Sequence, residues 1–483
     1  MQLYEYNAHE LRDLITKKEV SVAEVAEAAR QRAHAVQPII NGFVTILETD
    51  DALRHAQQSG ALGGLPIALK DNICTKDIAT TCASKMLETF VPPYDATVSE
   101  KLKQAGMTLV GKCNMDEFAM GSTTETSYFG PTYNPHNLSR IPGGSSGGSA
   151  AVVASGAAVM ALGTDTGGSV RQPSAHCGVV GMKPTYGIVS RYGVVAFASS
   201  LDQVGPIARN VQDCAWMMDA IVGHDERDST SRKECPSGFE AALSGDIKGK
   251  RIGLPDEYFN VGVQDEVKEA VLLAAKKMEA LGAIVEPCSL KLLEYSLPTY
   301  YLLSSAEASS NLARFDGVKY GYRAQGDYDY EQMLIQTRNE GFGDEVKRRI
   351  MLGSYVLSAG YYDAYYKKAQ QARAMIIEDF NKEFDRFDVL LTPASPRTAW
   401  KVGEKGMTTD EIYSADICTV SVNIAGLPAL VLPCGKDTEG LPIGMQLIGK
   451  QLDDALLLNV GHAYEQAANL GMNRPVLREV DAV

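Results

Sequence analysis

The sequence predicts an α/β fold: one large layered structure whose mixed central β-sheet is covered by helices on both faces. Two observations carry this. From about residue 61 onward, short apolar runs with strand character alternate with segments of helical period, the pattern of α/β architecture. The 483 residues are 45 % hydrophobic and 22 % charged, an ordinary globular balance with enough apolar side chains for a sizeable core. The length fits one large domain or two ordinary ones. We read an N-terminal helical segment, residues 1–60, packed on a catalytic core of residues 61–483, with no second independent domain.

Each element has its own signal. Residues 7–35 read as helical, opened by two capping boxes, Asn7 with Glu10 and Ser21 with Glu24. NGFVTIL (41–47) reads as a strand and DDALRHAQQ (50–58) as a helix. LPIALK (65–70) is a strand, ATVSEKLKQAG (96–106) a helix and MTLVGK (107–112) the strand after it. HDERDSTSRKECPSG (224–238) is a charged surface excursion. RIGLP (251–255), VQDEVKEAVLLAAKKMEALG (263–282) and AIVEP (283–287) form a β-α-β unit. Residues 328–384 carry long helical periodicity. DVLLTP (388–393) is a strand, DEIYSADICTVSVNIAG (410–426) a helix, PALVLPCG (428–435) and PIGMQLIGK (442–450) strands, and DALLLNVGHAYEQA (454–467) a final helix.

Charge and cysteine usage exclude several classes. With 46 basic and 60 acidic residues the net charge is −14, which argues against a dedicated nucleic-acid surface on this chain. Nine cysteines, none in a C-x-x-C pair, suit reduced thiols in the cytoplasm better than a disulfide framework or zinc site. The seven histidines are dispersed, so no metal site is expected. The N-terminus lacks a signal-peptide pattern and no apolar run is long enough to span a bilayer.

The stretch PGGSSGGSA (142–150) poses the chemical question, with four glycines, three serines and no charge. A linker would continue in polar sequence. Here an apolar segment follows, then a second glycine turn, GTDTGGSVRQP (163–173). A phosphate cradle needs G-x-x-x-x-G-K-[ST], and this stretch has no lysine. GMTLVGKC (106–113) and GMQLIGKQ (444–451) come near, but both lack the magnesium-binding hydroxyl and read as buried strands. A serine nucleophile needs a base and oxyanion donors. The G-x-S-x-G elbow is absent around Ser145 and Ser169. His176 follows Ser169 by seven residues, but a lone histidine is more often structural. Lys70 ends an apolar strand, where burial would lower its pKa and free it as a base. Taken alone, it reads more readily as a solvated surface lysine, the usual fate of that residue type.

LPIALKDNI, SRIPGGSSGGSAAVVASG and ALGTDTGGSVRQPSAHCG together, in that order, resemble the amidase signature family. Within it, NMDEFAMGSTTETSYFGPTYNPHN (114–137), KPTYGIVSRYGVVAFASSLDQVGP (183–206) and EVKRRIMLGSYVLSAGYYDAYYKKAQ (345–370) resemble the glutamine-hydrolysing subunits of tRNA-dependent amidotransferases. The likeness runs over nearly the whole chain. His176 departs from it, since relatives are expected to carry an apolar or aromatic residue there.

The resemblance implies Ser169 as nucleophile, Ser145 as bridging serine and Lys70 as base, with Ser146 a structural neighbour. It implies backbone N–H groups of Thr166, Gly167, Gly168 and Ser169 as the oxyanion hole, before a helix whose first turn accommodates Pro173. Arg349 would hold the α-carboxylate of glutamine and Asp416 its α-ammonium, with Arg348 the competitor in the same RR pair. No metal or cofactor is expected on this chain. The resemblance implies that ATP and magnesium bind at a partner subunit that activates glutamyl-tRNA(Gln) or aspartyl-tRNA(Asn), and that a small third subunit wraps the interface. A free-standing amidase acting on another small amide would use the same Ser-Ser-Lys set.

Overall fold

The computed structural model describes residues 2–53, 60–404, 414–468, 475 and 477. An 11-stranded mixed sheet runs through the molecule. In chain order its strands are β1 (Phe43–Ile46), β2 (Pro66–Lys70), β3 (Thr108–Cys113), β4 (Met160–Asp165), β5 (Val180–Lys183), β6 (Gln203–Ala208), β7 (Arg251–Pro255), β8 (Ile284–Cys288), β9 (Val389–Pro393), β10 (Ala429–Lys436) and β11 (Pro442–Gly449). Across the sheet the order is β1-β3-β2-β4-β6-β5-β10-β11-β9-β7-β8. Strand β2 lies parallel to both β3 and β4, and β7 parallel to both β8 and β9, while β5, β6, β10 and β11 pair antiparallel with their neighbours.

The helices that matter for the site follow the same order. The N-terminal pair is α1 (Ala8–Thr16) and α2 (Val22–Ile40), and both capping boxes form. The short α3 (Thr49–Leu53) covers the start of the 50–58 reading; residues 54–58 lie outside the described residues. Then come α4 (Thr97–Gln104), α5 (Gly147–Ser155), α6 (Arg171–His176), α7 (Val211–Ile221), α8 (Asp256–Asn260), α9 (Asp265–Ala280), α10 (Ser296–Leu312), α11 (Tyr330–Gly341), α12 (Asp344–Leu357), α13 (Lys367–Phe384), α14 (Val420–Ile424) and α15 (Asp454–Ala468). No helix among the described residues is long and apolar enough to cross a membrane.

Period-two alternation places cores on both faces of the sheet. Ala68, Val110, Ala161 and Ile207 face one apolar cluster, shared with α2 and α5. Ile67, Leu69, Leu109, Met160, Leu162 and Ala208 face the other, shared with α7. Lys70 is in step with Ala68, so the alternation turns it to the α5 side.

Four elements differ from the sequence reading. Strands β5 and β6 went unrecognised because Gly181, Gly205 and Pro206 interrupt their alternation. The long helical stretch 328–384 is three helices, α11 to α13, with Gly343 as the N-cap of α12 and a single π-helical turn, Tyr362–Tyr366, before α13. The expected helix over 410–426 is interrupted. Residues 410–413 lie outside the described residues, Ser414 is helical, 415–419 form turns, and Val420–Ile424 is a separate short helix. In those turns the Thr419 hydroxyl donates to the Gly167 carbonyl at 2.5 Å, so these residues serve the site instead of extending the helix.

Helices α10 and α12 pack closely enough that a Cβ on Gly353 would lie 1.9 Å from the Ser305 carbonyl oxygen. Gly353→Ala should therefore lower stability by about 1–3 kcal/mol through overpacking. The urea-unfolding midpoint measures this, and an unmoved midpoint would show the two backbones are not in that contact.

Candidate active site

The site lies beyond the carboxyl ends of the parallel strands β2 and β4, where α/β sheets place ligands. Lys70 is the last residue of β2 and is fully buried. Its Nζ is 2.7 Å from Ser145 Oγ, 2.9 Å from Thr164 Oγ1 and 3.3 Å from the Thr164 carbonyl oxygen. Burial pushes the amine down to about 7, although Asp116, Asp165 and Asp202 oppose that shift. Each of these carboxylates is engaged elsewhere. Asp116 accepts from the backbone of Thr123 and Thr124, Asp202 from Thr166 and the backbone of Phe197 and Ala198, and Asp165 from Arg171. Among the described residues none comes within 4.0 Å of Lys70 Nζ as an ion pair.

Ser145 precedes α5, where the glycine-serine stretch becomes helical. Ser146 acts structurally. Its hydroxyl donates to the Thr164 carbonyl at 3.1 Å and accepts from Thr164 N–H at 3.3 Å, clamping the stretch to β4. Its own N–H donates to the Ser169 carbonyl at 3.1 Å, tying the two serine turns together. Ser169 is 8 % exposed, against none for Ser145, and its hydroxyl makes no hydrogen bond among the described residues. The structure thus joins Lys70 directly to Ser145 and holds the Ser169 turn beside them through its backbone.

The turn from Thr166 to Ser169 links β4 to α6. The N–H of Gly168, one of the four expected donors, donates to Asp165 Oδ1 at 2.9 Å and so is engaged within the turn. Thr166, Gly167 and Ser169 N–H have no acceptor among the described residues. Gly168 has φ +139, and a Cβ there would lie 2.3 Å from Thr419 Oγ1; on Gly167 it would lie 2.5 Å from the Tyr300 ring. Pro173 sits in the first turn of α6 as expected.

A buried network that the sequence reading missed holds this turn. Arg171 Nε donates to Asp165 Oδ2 at 3.0 Å, and its other nitrogens reach Asp165 Oδ1, Asn423 Oδ1, Gln446 Oε1 and the Thr419 carbonyl. The guanidinium holds the Asp165 carboxyl down at about 2 despite full burial. Asp165 and Arg171 flank the T-G-G-S turn at a six-residue spacing, a signal the sequence does contain. Asn423 and Gln446 carry no such local signal.

Arg349 and Asp416, distant in sequence, come to one place. Arg349 is 3 % exposed and Asp416 8 % exposed. Arg349 Nε donates to Glu345 Oε1 at 2.6 Å, and its guanidinium lies 4.5 Å from the centroid of the Tyr301 ring. Asp416 accepts from Ser122 Oγ at 2.8 Å and Tyr301 Oη at 3.1 Å. Burial pushes the Asp416 carboxyl up to about 6, with Arg349 pulling the other way. Arg348 points outward with its side chain 52 % exposed and pairs with Glu345, so the pocket-side member of the RR pair is Arg349. His176 is buried, 3.2 Å from Ser395 Oγ and edge-on to Trp400, and burial pushes it down to about 4. It is a neutral core residue.

Replacing Asp165 by Asn would leave the Arg171 guanidinium buried without its carboxylate. The expected loss of stability is about 3–5 kcal/mol, read from chemical unfolding. A loss below about 1 kcal/mol, the scale of an exposed pair, would mean the network is not desolvated as described.

A family model described as Amidase matches residues 24–458. The A subunit of the glutamyl-tRNA(Gln) amidotransferase of Heliobacterium modesticaldum is 54 % identical over 487 residues, covering 99 % of this chain and 100 % of that protein. The crystal structure of the corresponding glutamyl-tRNA(Gln) amidotransferase A subunit of Thermotoga maritima has a TM-score of 0.85 and 41 % identity, covering 99 % of each chain. A 6-aminohexanoate cyclic dimer hydrolase has a TM-score of 0.87 at 26 % identity, again over 99 % of each chain. A match across most of the sequence, with relatives this similar over full length, places the chain in the amidase family.

Proposed function

We propose that this chain is the ammonia-generating glutaminase subunit of a tRNA-dependent amidotransferase. The observation that carries the reading is a buried amine with its pKa near 7, 2.7 Å from a serine hydroxyl, at the centre of an amidase fold. The 54 % identity to the A subunits of glutamyl-tRNA(Gln) amidotransferases supports the specific activity.

In this reading neutral Lys70 takes the proton of Ser145 as Ser145 takes that of Ser169, a serine-lysine version of triad logic. Ser169 Oγ attacks the side-chain amide carbon of glutamine. The N–H groups of Thr166, Gly167 and Ser169 donate to the oxyanion that forms. The relay then returns a proton to the leaving nitrogen, ammonia departs, and a glutamyl ester remains on Ser169. Water activated by the same relay hydrolyses the ester and releases glutamate. Arg349 pairs with the α-carboxylate of glutamine and ionised Asp416 with its α-ammonium, which is why an apolar amide is a poor fit.

Ammonia passes to a partner subunit that binds ATP and magnesium and amidates glutamyl-tRNA(Gln), or aspartyl-tRNA(Asn). A small third subunit completes the assembly. The net charge of −14 suits a chain that leaves the tRNA phosphates to its partner. The setting is the cytoplasm, where translation consumes the product.

In the assembled enzyme Ser169→Ala should abolish measurable glutamine hydrolysis, and Lys70→Ala and Ser145→Ala should each lower kcat at least ~10²-fold, the scale of proton-transfer catalysis. Near-normal turnover of Lys70→Ala would reject the relay, and equal turnover of glutamine and simple aliphatic amides would favour the free-standing amidase. Because the base is the neutral amine, kcat should rise with pH through about 7, the value set by Lys70 burial. A kcat that stays flat from pH 6 to 8 would mean that another group limits the reaction.

A further inference from the structure

Adjacent residues of α10, Tyr300 and Tyr301, face different parts of the site. Tyr300 lies against the Gly167 turn. Tyr301, 8 % exposed, lies between the two binding charges: its hydroxyl donates to Asp416 Oδ2 at 3.1 Å, and the Arg349 guanidinium stands over its ring at 4.5 Å. A cation and an anion that await one zwitterion face a physical problem, because left unconstrained they collapse onto each other and close the site. A rigid aromatic body between them prevents this. Its face is attractive to a guanidinium and its edge hydroxyl to a carboxylate, so one side chain satisfies both groups without neutralising either. Glu345 fixes the other side of Arg349 through Nε, and Ser122 fixes the other oxygen of Asp416.

We propose that Tyr301 is the specificity-determining spacer of the site, holding Arg349 and Asp416 apart so that an amide carrying both an α-carboxylate and an α-ammonium is bound more tightly than one lacking either. The assignment rests on the glutaminase reading above. Tyr301 is a positioning residue: it acts through Asp416 and Arg349 and touches none of the reacting atoms.

The Asp416 carboxyl is faced by Ser122 and Tyr301 as donors, by the Arg349 cation, and at longer range by Asp165, while Tyr300 packs beside Tyr301. The two donors and Arg349 stabilise its ionised form; burial and Asp165 oppose it. Removing the Tyr301 hydroxyl therefore raises the carboxyl above its value of about 6. KM for glutamine, which needs the carboxylate, should then climb at a higher pH than in the unaltered enzyme.

The test compares the assembled enzyme carrying Tyr301→Phe or Tyr301→Leu with the unaltered enzyme. The substrates are glutamine and 4-carbamoylbutanoate, which is glutamine without its α-ammonium. Tyr301→Phe should raise KM for glutamine at least roughly tenfold, the scale of a hydrogen bond to a charged group. It should leave kcat within about threefold, leave KM for 4-carbamoylbutanoate unchanged, and move the low-pH rise of KM upward. Tyr301→Leu, which also removes the ring under Arg349, should raise KM for both substrates. The unfolding midpoint of Tyr301→Phe should stay near that of the unaltered enzyme. Equal KM changes for both substrates in Tyr301→Phe, a fall in kcat in place of the KM change, or an unmoved pH limb would overturn the assignment while leaving the glutaminase reading intact. An unaltered enzyme that fails to distinguish the two substrates would remove that reading and the spacer with it.

Discussion

The site depends on one electrostatic constraint: an amine buried without a counter-ion among the described residues. Moving the Lys70 pKa from 10.5 to about 7 corresponds to on the order of 5 kcal/mol against its charged form. The protein sustains this by giving every nearby carboxylate another partner. If Asp116, Asp165 or Asp202 turned toward Nζ, the ammonium would be stabilised and the neutral amine lost. The polar shell around the site therefore does more than position groups. It keeps three carboxyl groups engaged with other partners, none of them paired with the lysine.

The contrast with two other buried lysines makes the point. Lys70, Lys112 and Lys183 all end strands or near-strand positions and all are buried. Lys112 is compensated: it sits 3.5 Å from Asp71 and donates to Thr80 and the Ile73 carbonyl. Lys183 is pushed down to about 7 by burial, like Lys70, but its Nζ donates to the Pro184 carbonyl, and among the described residues it has no hydroxyl as a hydrogen-bond partner. A lowered pKa thus does not make a base. Lys70 differs in meeting a serine hydroxyl at the mouth of the sheet.

The same network links recognition to chemistry. The turn carrying Asp416 runs into Thr419, whose hydroxyl reaches the Gly167 carbonyl and whose own carbonyl accepts from Arg171. The group expected to meet the α-ammonium and the turn expected to hold the oxyanion are therefore parts of one buried assembly of hydrogen bonds. Arg349 reaches it from α12, whose close approach to α10 sets the arginine against Tyr301. Under the proposed function, a substrate that engages both charges is thereby aligned with the Ser169 turn.

By itself the sequence determined the fold class, the capping of the N-terminal helices, the outer strands and the two glycine turns, because these are local signals: hydrophobic period, capping boxes and residues that make room for backbone. The ordered motifs singled out Lys70, Ser145 and Ser169. Only the tertiary structure decided which strand-end lysine meets a hydroxyl, that Arg349 and not Arg348 faces inward, that Gly168 N–H serves Asp165, and that Tyr301 lies between Arg349 and Asp416. Strands β5 and β6 stayed hidden because glycine and proline break their alternation. The physical reason is range. Burial, desolvation and hydrogen bonding between residues some 75 to 275 positions apart belong to the packed sheet and its helices, and no window along the chain contains them.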